Sequence, residues 1–361
     1  MSTTYHPGDA PVNLAEAVLR WAVNILHSRG YSTVGLACSA LQADASTRKF
    51  LRLTNLHRES WIAMLLSDRE TDYLATEVST SELPFVTFGE FLLQRNWPVP
   101  RVIFHDANLD WLLIEDFGDV RLQEALIGVT VERKRKLYGQ AMKLLVKLQL
   151  MTYDARESNS IAARRVLDEA TLRWEFFHYV EWGIEALHST SITETERATL
   201  DSEFGRLSQE IVSAGYVLVH RDYHSRNLMV LPDGELGVLD FQDAVLGSPT
   251  YDVTSLLLDS YVSLGWEFVN DCVEDFHWQL VGAGVVVGDI ESFRRLFHIQ
   301  GIQRCLKAAG RFVYLARVCQ NPGLLPVIPP TLEFVRRMLD IYDDLATVRE
   351  CLVRYEQRLA R

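Results

Sequence analysis

An acid at 222, a carboxamide at 227 and a second acid at 240 form the set of residues whose types and spacing say most about chemistry. They sit in His220-Arg221-Asp222, then Asn227 after a four-residue gap, then Asp240-Phe241. Transfer of a γ-phosphate spreads negative charge over its oxygens, so metal ions must bridge the phosphates. Magnesium takes oxygen ligands, commonly one or two from protein and the rest from phosphate and water. The accepting hydroxyl needs a carboxylate to orient it and remove its proton. The pattern supplies all three: Asp222 as the base, Asn227 and Asp240 as magnesium ligands, with ATP as the donor. His220 is expected to be a structural partner inside the loop.

Short strands must bring these groups together. Tyr216-Val217-Leu218-Val219 reads as a buried strand ending at His220, Leu228 to Leu231 as the next, and Leu236 to Leu239 as a return strand. Pro232-Asp233-Gly234-Glu235 is the turn between the last two. Four residues out cover roughly 13 Å at about 3.4 Å each, and four back cancel that distance. Asn227 and Asp240 are therefore expected side by side.

The stretch from Val219 to Asp252, VHRDYHSRNLMV followed by GVLDFQDAVLGSPTYDV, resembles the aminoglycoside phosphotransferase and choline kinase superfamily. Pro249 and the Tyr251-Asp252 pair that opens a helix fit that resemblance. Ala43–Leu53, Leu112–Leu122, Ser255–Tyr261 and Gly301–Phe312 are similar to a narrower group, the bacterial kinases that phosphorylate the anomeric hydroxyl of N-acetylmuramate and N-acetylglucosamine in cell-wall recycling. The resemblance implies an α+β, bilobal protein-kinase-like fold. Residues 1–117 would form a nucleotide-binding lobe built on a small antiparallel sheet and including the hinge. Residues 118–361 would form a helical lobe carrying the catalytic loop and the acceptor site. It also implies that His224 touches the substrate. Gln242 stands where protein kinases have Gly, and Pro249 follows too closely for a long activation loop. Both argue for a small-molecule acceptor.

The chain has 361 residues, a formal charge of −12 and 48% hydrophobic residues, ordinary for a globular protein of two lobes. A phosphate-wrapping nucleic-acid binder would normally be basic, so that class is disfavoured. No apolar run approaches a membrane span, and MSTTYHPGDAP lacks a secretory pattern. Five scattered cysteines fit a reducing cytoplasm. A cytoplasmic monomer, bound to neither nucleic acid nor membrane, is the expectation.

Along the chain, periodicity predicts a helix over 12–29, strands over 34–39, 49–53 and 61–66, a helix over 83–95, and strands over 102–105 and 111–115. Predicted helices follow over 131–152, 165–188, 193–214, 250–263, 267–282, 291–319 and 331–360. Glu115-Asp116-Phe117-Gly118 takes the place of a kinase hinge, with Glu115 and Phe117 beside adenine. The turn holding Ser46, Thr47 and Arg48 has no glycine and reads equally as an ordinary polar turn or a phosphate contact; the family resemblance implies the phosphate contact. The third strand lacks the usual phosphate-pairing lysine; Arg48, Lys49 or Arg52 could replace it. Asp252, Ser255 and Asp259 recur on one helical face. Asp252 is expected to brace the catalytic loop and Asp259 to meet sugar hydroxyls. Gln300, Gln303, Arg304 and Lys307 form a polar stripe that periodicity alone reads as a solvated face; the resemblance to the sugar kinases implies instead that Arg304 and Lys307 form a cationic wall suited to the lactyl carboxylate of N-acetylmuramate. Tyr179, Trp182 and Trp266 are read as core rather than as a cage for a quaternary ammonium.

The sequence thus points to an ATP- and Mg-dependent sugar kinase. An aminoglycoside or choline-type kinase is the alternative. A catalytically silent kinase-like module is a second one, suggested by the missing lysine and glycines.

Overall fold

The computed structural model describes residues 14–41, 48–66 and 82–360. Two compact units emerge, one of residues up to 89 plus 100–118, the other of 90–99 plus 119 onward.

The first unit is a five-stranded antiparallel sheet with one helix packed on it. Helix α1 (Leu14–Ser28) precedes β1 (Ala37–Leu41), β2 (Lys49–Thr54) and β3 (Ser60–Leu65); α2 (Pro84–Gln94), whose residues from Glu90 on belong to the second unit, comes before β4 (Val102–Asp106) and β5 (Trp111–Glu115). The spatial order is β1-β2-β3-β5-β4. In α1, Val18, Ala22, Ile25 and Leu26 recur at helical spacing and are buried. They meet Leu51, Leu53, Trp61, Ala63, Leu65 and Leu113 from alternating positions of three strands.

The second unit is almost entirely helical. Its elements begin with α3 (Leu122–Ala125), α4 (Val131–Leu150), α5 (Thr152–Glu157), α6 (Glu169–Tyr179) and α7 (Glu194–Ser213). Strands β6 (Val217–Val219), β7 (Leu228–Val230), β8 (Leu236–Val238) and β9 (Val245–Gly247) carry the catalytic stretch. The chain ends in α8 (Tyr251–Leu257), α9 (Trp266–Gly282), α10 (Ile290–Arg317), α11 (Ile328–Leu339) and α12 (Ala346–Val353). Side chains close the helix starts: Asp168 caps α6, Thr193 and Glu196 form a reciprocal capping box on α7, and Asp289 caps α10. No described helix is long and apolar enough to cross a membrane.

Four expectations shift. The predicted strand over 34–39 begins only at Ala37. The helix expected from 165 begins after Asp168, because Leu167 donates from its N–H to the carbonyl of Leu246 in β9, a strand the periodicity missed. Beyond Tyr179 the same helix widens into a π-helical run, Val180–Ala186. The helix expected over 331–360 is broken at Asp340–Leu345. There Tyr342 bonds His298, and Asp344 pairs with Arg206 and Arg295, so side-chain partners override local helix preference.

Helices α6 and α10 run side by side in the same direction. Glu175 meets Gln303 and Lys307, and Trp182 meets Tyr314 further along. They pack tightly at Gly310, where a Cβ would stand 2.8 Å from the carbonyl oxygen of His178 and 2.9 Å from Cα of Tyr179.

Candidate active site

Residues 220–227 form a loop between β6 and β7 whose backbone is held partly by its own bonds and partly by side chains from elsewhere. The N–H groups of His220 and Arg221 donate to the two carboxylate oxygens of Asp252, at 2.6 and 2.9 Å. Ser225 N–H donates to Asp259 at 2.9 Å, and the other oxygen of Asp259 accepts from Tyr261 N–H. Tyr223 is fully buried and its hydroxyl donates to the Ala141 carbonyl. Arg221 adopts φ +77°, a left-handed conformation that costs a non-glycine residue energy and needs such anchoring.

His220 joins the loop to the hairpin. Its Nδ1 accepts from Asp222 N–H at 3.3 Å, which assigns the proton to Nε2, and Nε2 donates to the Leu239 carbonyl at 2.8 Å. Burial lowers its pKa to about 4, so the ring is neutral.

Hairpin β7–β8 pairs Leu228 with Val238, and one step beyond, Leu239 N–H donates to the Asn227 carbonyl at 2.8 Å. Gly234 turns the hairpin at φ +85°, a conformation glycine adopts without strain. Asn227 therefore lies opposite the residue preceding Asp240, as the strand arithmetic requires. Its Nδ2 donates to the Asp222 carbonyl at 3.0 Å, which points the amide oxygen away from the loop. Asp240 is itself left-handed, at φ +55°.

Cations surround Asp222. Burial alone would raise its pKa, but the charges of Lys307, His224, Arg304 and Arg221 outweigh burial and hold the carboxyl below its usual range. Arg304 donates to the Arg221 carbonyl at 3.0 Å and to the Ser255 hydroxyl at 2.6 Å, with its guanidinium 4.8 Å from the Tyr251 ring centre. His224 faces Tyr261 edge-on, and its buried Nδ1 has no hydrogen-bond partner among the described residues.

Sequence reasoning missed Glu175. This fully buried carboxylate pairs with Lys307 at 2.6 Å, accepts from Gln303 at 2.6 Å, and lies 3.6 Å from the Arg221 guanidinium. Burial pushes its pKa up, yet Lys307 and Arg221 reverse that and leave it lowered. A signal was available. Glu175 falls on the stripe formed by Leu172, Phe176 and Tyr179, all buried, and an acid on an apolar stripe needs a buried partner.

Two expectations about the acceptor wall change. Asp259 does not present free oxygens to a sugar, because both accept from backbone N–H groups. Lys307 is paired with Glu175, and Arg304 is bonded to the Arg221 carbonyl and the Ser255 hydroxyl, so the hydrogen-bonding capacity of the expected wall is largely committed to the protein itself while its charge stays beside the base. The expected bracing role of Asp252 matches its two bonds. Tyr179 is buried, while Trp266 stacks on His298 and Phe334, so no cage assembles from Tyr179, Trp182 and Trp266.

In the sheet unit, Glu115 ends β5. Its N–H donates to the Arg101 carbonyl, and its carboxylate pairs with Arg101. Phe117 is half-buried two residues on. Arg52, one candidate for the missing lysine, is engaged instead with Asp116 at 2.7 Å and with the Gly118 carbonyl at 3.0 Å. Arg48 is half-buried and Lys49 exposed at the start of β2; Ser46 and Thr47 lie outside the described residues.

A model of the phosphotransferase enzyme family matches residues 37–277. The chain belongs to this family. The phosphotransferase is similar to two proteins named N-acetylmuramate/N-acetylglucosamine kinase. One, from Neisseria meningitidis serogroup B, is 30% identical over 86% of this chain and 88% of its own. The other, from Pseudomonas putida, is 31% identical over 74% of this chain and 76% of its own. A choline kinase structure from Streptococcus pneumoniae shares the fold at a TM-score of 0.57 and 13% identity, covering 91% of this chain and 99% of that one. The phosphotransferase is thus a small-molecule kinase with a protein-kinase-like, α+β architecture.

Proposed function

We propose that this kinase transfers the γ-phosphate of ATP to the anomeric hydroxyl of N-acetylmuramate or N-acetylglucosamine. The observation that carries the reading is the similarity to sugar kinases over most of the chain, joined to a carboxylate at 222 that its cationic neighbours keep ionised.

Asp222 accepts a hydrogen bond from the sugar hydroxyl and takes its proton as the new P–O bond forms and the bond to ADP breaks. Arg304, on the Arg221 carbonyl, and Lys307, on Glu175, keep positive charge beside the base. Asn227 and Asp240 suit magnesium, since an amide oxygen and a carboxylate lie at one end of one hairpin. No group of three or more His, Cys, Asp or Glu suited to a metal occurs among the described residues. That fits an ion held by two side chains and completed by phosphate and water. Bound there, magnesium would offset charge on the triphosphate. Glu115 and Phe117 are the adenine-side candidates, Ser46, Thr47 and Arg48 the phosphate-side ones. The positive surroundings of Asp222 disfavour cationic acceptors such as choline or an aminoglycoside.

Labelled ATP offered with N-acetylmuramate, N-acetylglucosamine, choline and kanamycin tests this. The expected result is label on the sugars with loss of their reducing end, because a phosphate on the anomeric oxygen prevents ring opening. Transfer only to choline or kanamycin rejects it.

A further inference from the structure

We propose that the seam between α6 and α10 is the acceptor subsite, with Trp174, His178, Trp182 and Tyr314 forming a platform for the sugar ring and Arg311 binding a carboxylate substituent. The proposal rests on the sugar-kinase reading and adds where the sugar lies and which side chain separates the two sugars.

The seam starts at the base. Arg304 holds the carbonyl of Arg221, the neighbour of Asp222, and Lys307 meets Glu175 one turn later. Arg304, Lys307, Arg311 and Tyr314 then follow one face of α10 at spacings of three and four. Seven residues at about 1.5 Å rise place the level of Arg311 about 10 Å from that of Arg304. An acetylated hexose bearing a carboxyl ether is a ligand of that order.

Across the seam, Trp174, His178 and Trp182 recur at i, i+4 and i+8. The His178 ring lies 5.5 Å from Trp174, 6.4 Å from Trp182 and 6.1 Å from Tyr314, and Trp182 meets Tyr314 edge-on at 5.0 Å. Trp174 is 36% exposed, and Trp182 and Tyr314 are half-buried, so these rings present part of their surface to solvent along the seam. Aromatic surfaces of this kind take the C–H face of a sugar while polar groups take its hydroxyls.

Two independent features point to a ligand. His178 is 8% exposed, yet its Nε2 has no hydrogen-bond partner among the described residues. Burial, then the positive charges of Arg311 and Lys307, lower its pKa to about 4, so the imidazole beside the platform is neutral and can pair with a hydroxyl or acetamide. Trp182 itself lies in the π-helical run Val180–Ala186, a geometry that is rare and concentrated at functional sites.

Arg311 supplies the charge. It is exposed, lies 4.7 Å from the Tyr314 ring centre, and makes no ion pair among the described residues. Arg304 and Lys307 are already engaged by protein groups. A planar guanidinium held over a ring is suited to bidentate carboxylate binding. The lactyl ether of N-acetylmuramate carries such a group and N-acetylglucosamine does not.

Steady-state kinetics on Arg311→Ala and Trp182→Ala, with thermal melts to confirm folding, test the assignment. For Arg311→Ala, kcat/KM for N-acetylmuramate should fall about tenfold to a hundredfold further than for N-acetylglucosamine, the worth of a charged hydrogen bond. Arg311→Lys should recover part of that difference. For Trp182→Ala, KM should rise for both sugars while KM for ATP stays within about twofold. Equal losses on both sugars in Arg311→Ala, or unchanged sugar KM in Trp182→Ala, overturn the subsite and leave the sugar-kinase reading standing. A wild-type enzyme that uses only N-acetylglucosamine overturns the role of Arg311. A wild type inactive on both sugars overturns the reading and the subsite together.

Discussion

The five-stranded sheet and the 220–227 loop are held by opposite kinds of interaction. The sheet rests on apolar volume: Leu53, Ala63 and Leu113 are fully buried against α1. The loop rests on charge: Asp252 and Asp259 accept four backbone N–H bonds, and Glu175 ties down the cations beside the base. Apolar packing asks only for shape and tolerates exchange among hydrophobes of similar size. A buried carboxylate asks for particular atoms, because donors left without it cannot return to water. Stability and catalysis should therefore respond separately to substitutions in the two places.

The largest effect is expected at the loop's product. Asp222→Ala should lower kcat by about 10²–10⁴-fold, the usual worth of a general base, with little change in Tm. In the sheet, Leu53→Ala should cost about 2–5 kcal/mol in urea denaturation, while kcat per folded molecule stays within about twofold. A kcat loss as large as that of Asp222→Ala would dissolve the contrast.

Acid sharpens it further. His178, His220 and His298 all lie in the second unit, and burial holds each near a pKa of about 4 against 6.5 for a free imidazole. The folded form resists protons that the unfolded chain binds. Their stabilisation is therefore complete above pH 6.5 and is lost as pH falls to 4. One such group contributes about 3 kcal/mol across that window. His298→Gln keeps a polar partner for Tyr342 but cannot titrate, so its denaturation midpoint should vary less steeply between pH 6.5 and 4. An unchanged slope would mean that His298 takes up its proton as readily in the folded chain as in the unfolded one.

The smallest effect is Asp259→Asn. The side chain keeps its volume and loses a charged acceptor, so a destabilisation of about 1–3 kcal/mol is expected. Activity should fall in step with loop geometry rather than with sugar KM. A selective rise in sugar KM would return Asp259 to the substrate.

The sequence was most legible where local chemistry and short-range geometry coincide. The hairpin could be read because Pro232, Asp233 and Gly234 specify a turn, and equal strand lengths return Asp240 to Asn227. The sheet could be read because Leu51 and Leu53 alternate with Phe50 and Arg52. Tertiary partners explain what was lost. Periodicity put Asp259 on the face of Asp252, but only the folded loop shows that Ser225 and Tyr261 claim its oxygens. Arg52 looked like a phosphate cation because nothing nearby in sequence announces Asp116, sixty-four residues on. The long helix expected after 331 failed for a similar reason, since the partners of Asp344 lie at positions 206 and 295.

Gly310 has a consequence for how this enzyme could change. With a Cβ there only 2.8 Å from the His178 oxygen, the gauge between α6 and α10 is set by a missing methyl group. Adding that carbon, as alanine, would force the two helices apart and lengthen the Lys307–Glu175 pair. One codon thus controls the spacing at that contact. Directed evolution toward bulkier acceptors would find it a short route, at the expense of the charge balance around Asp222.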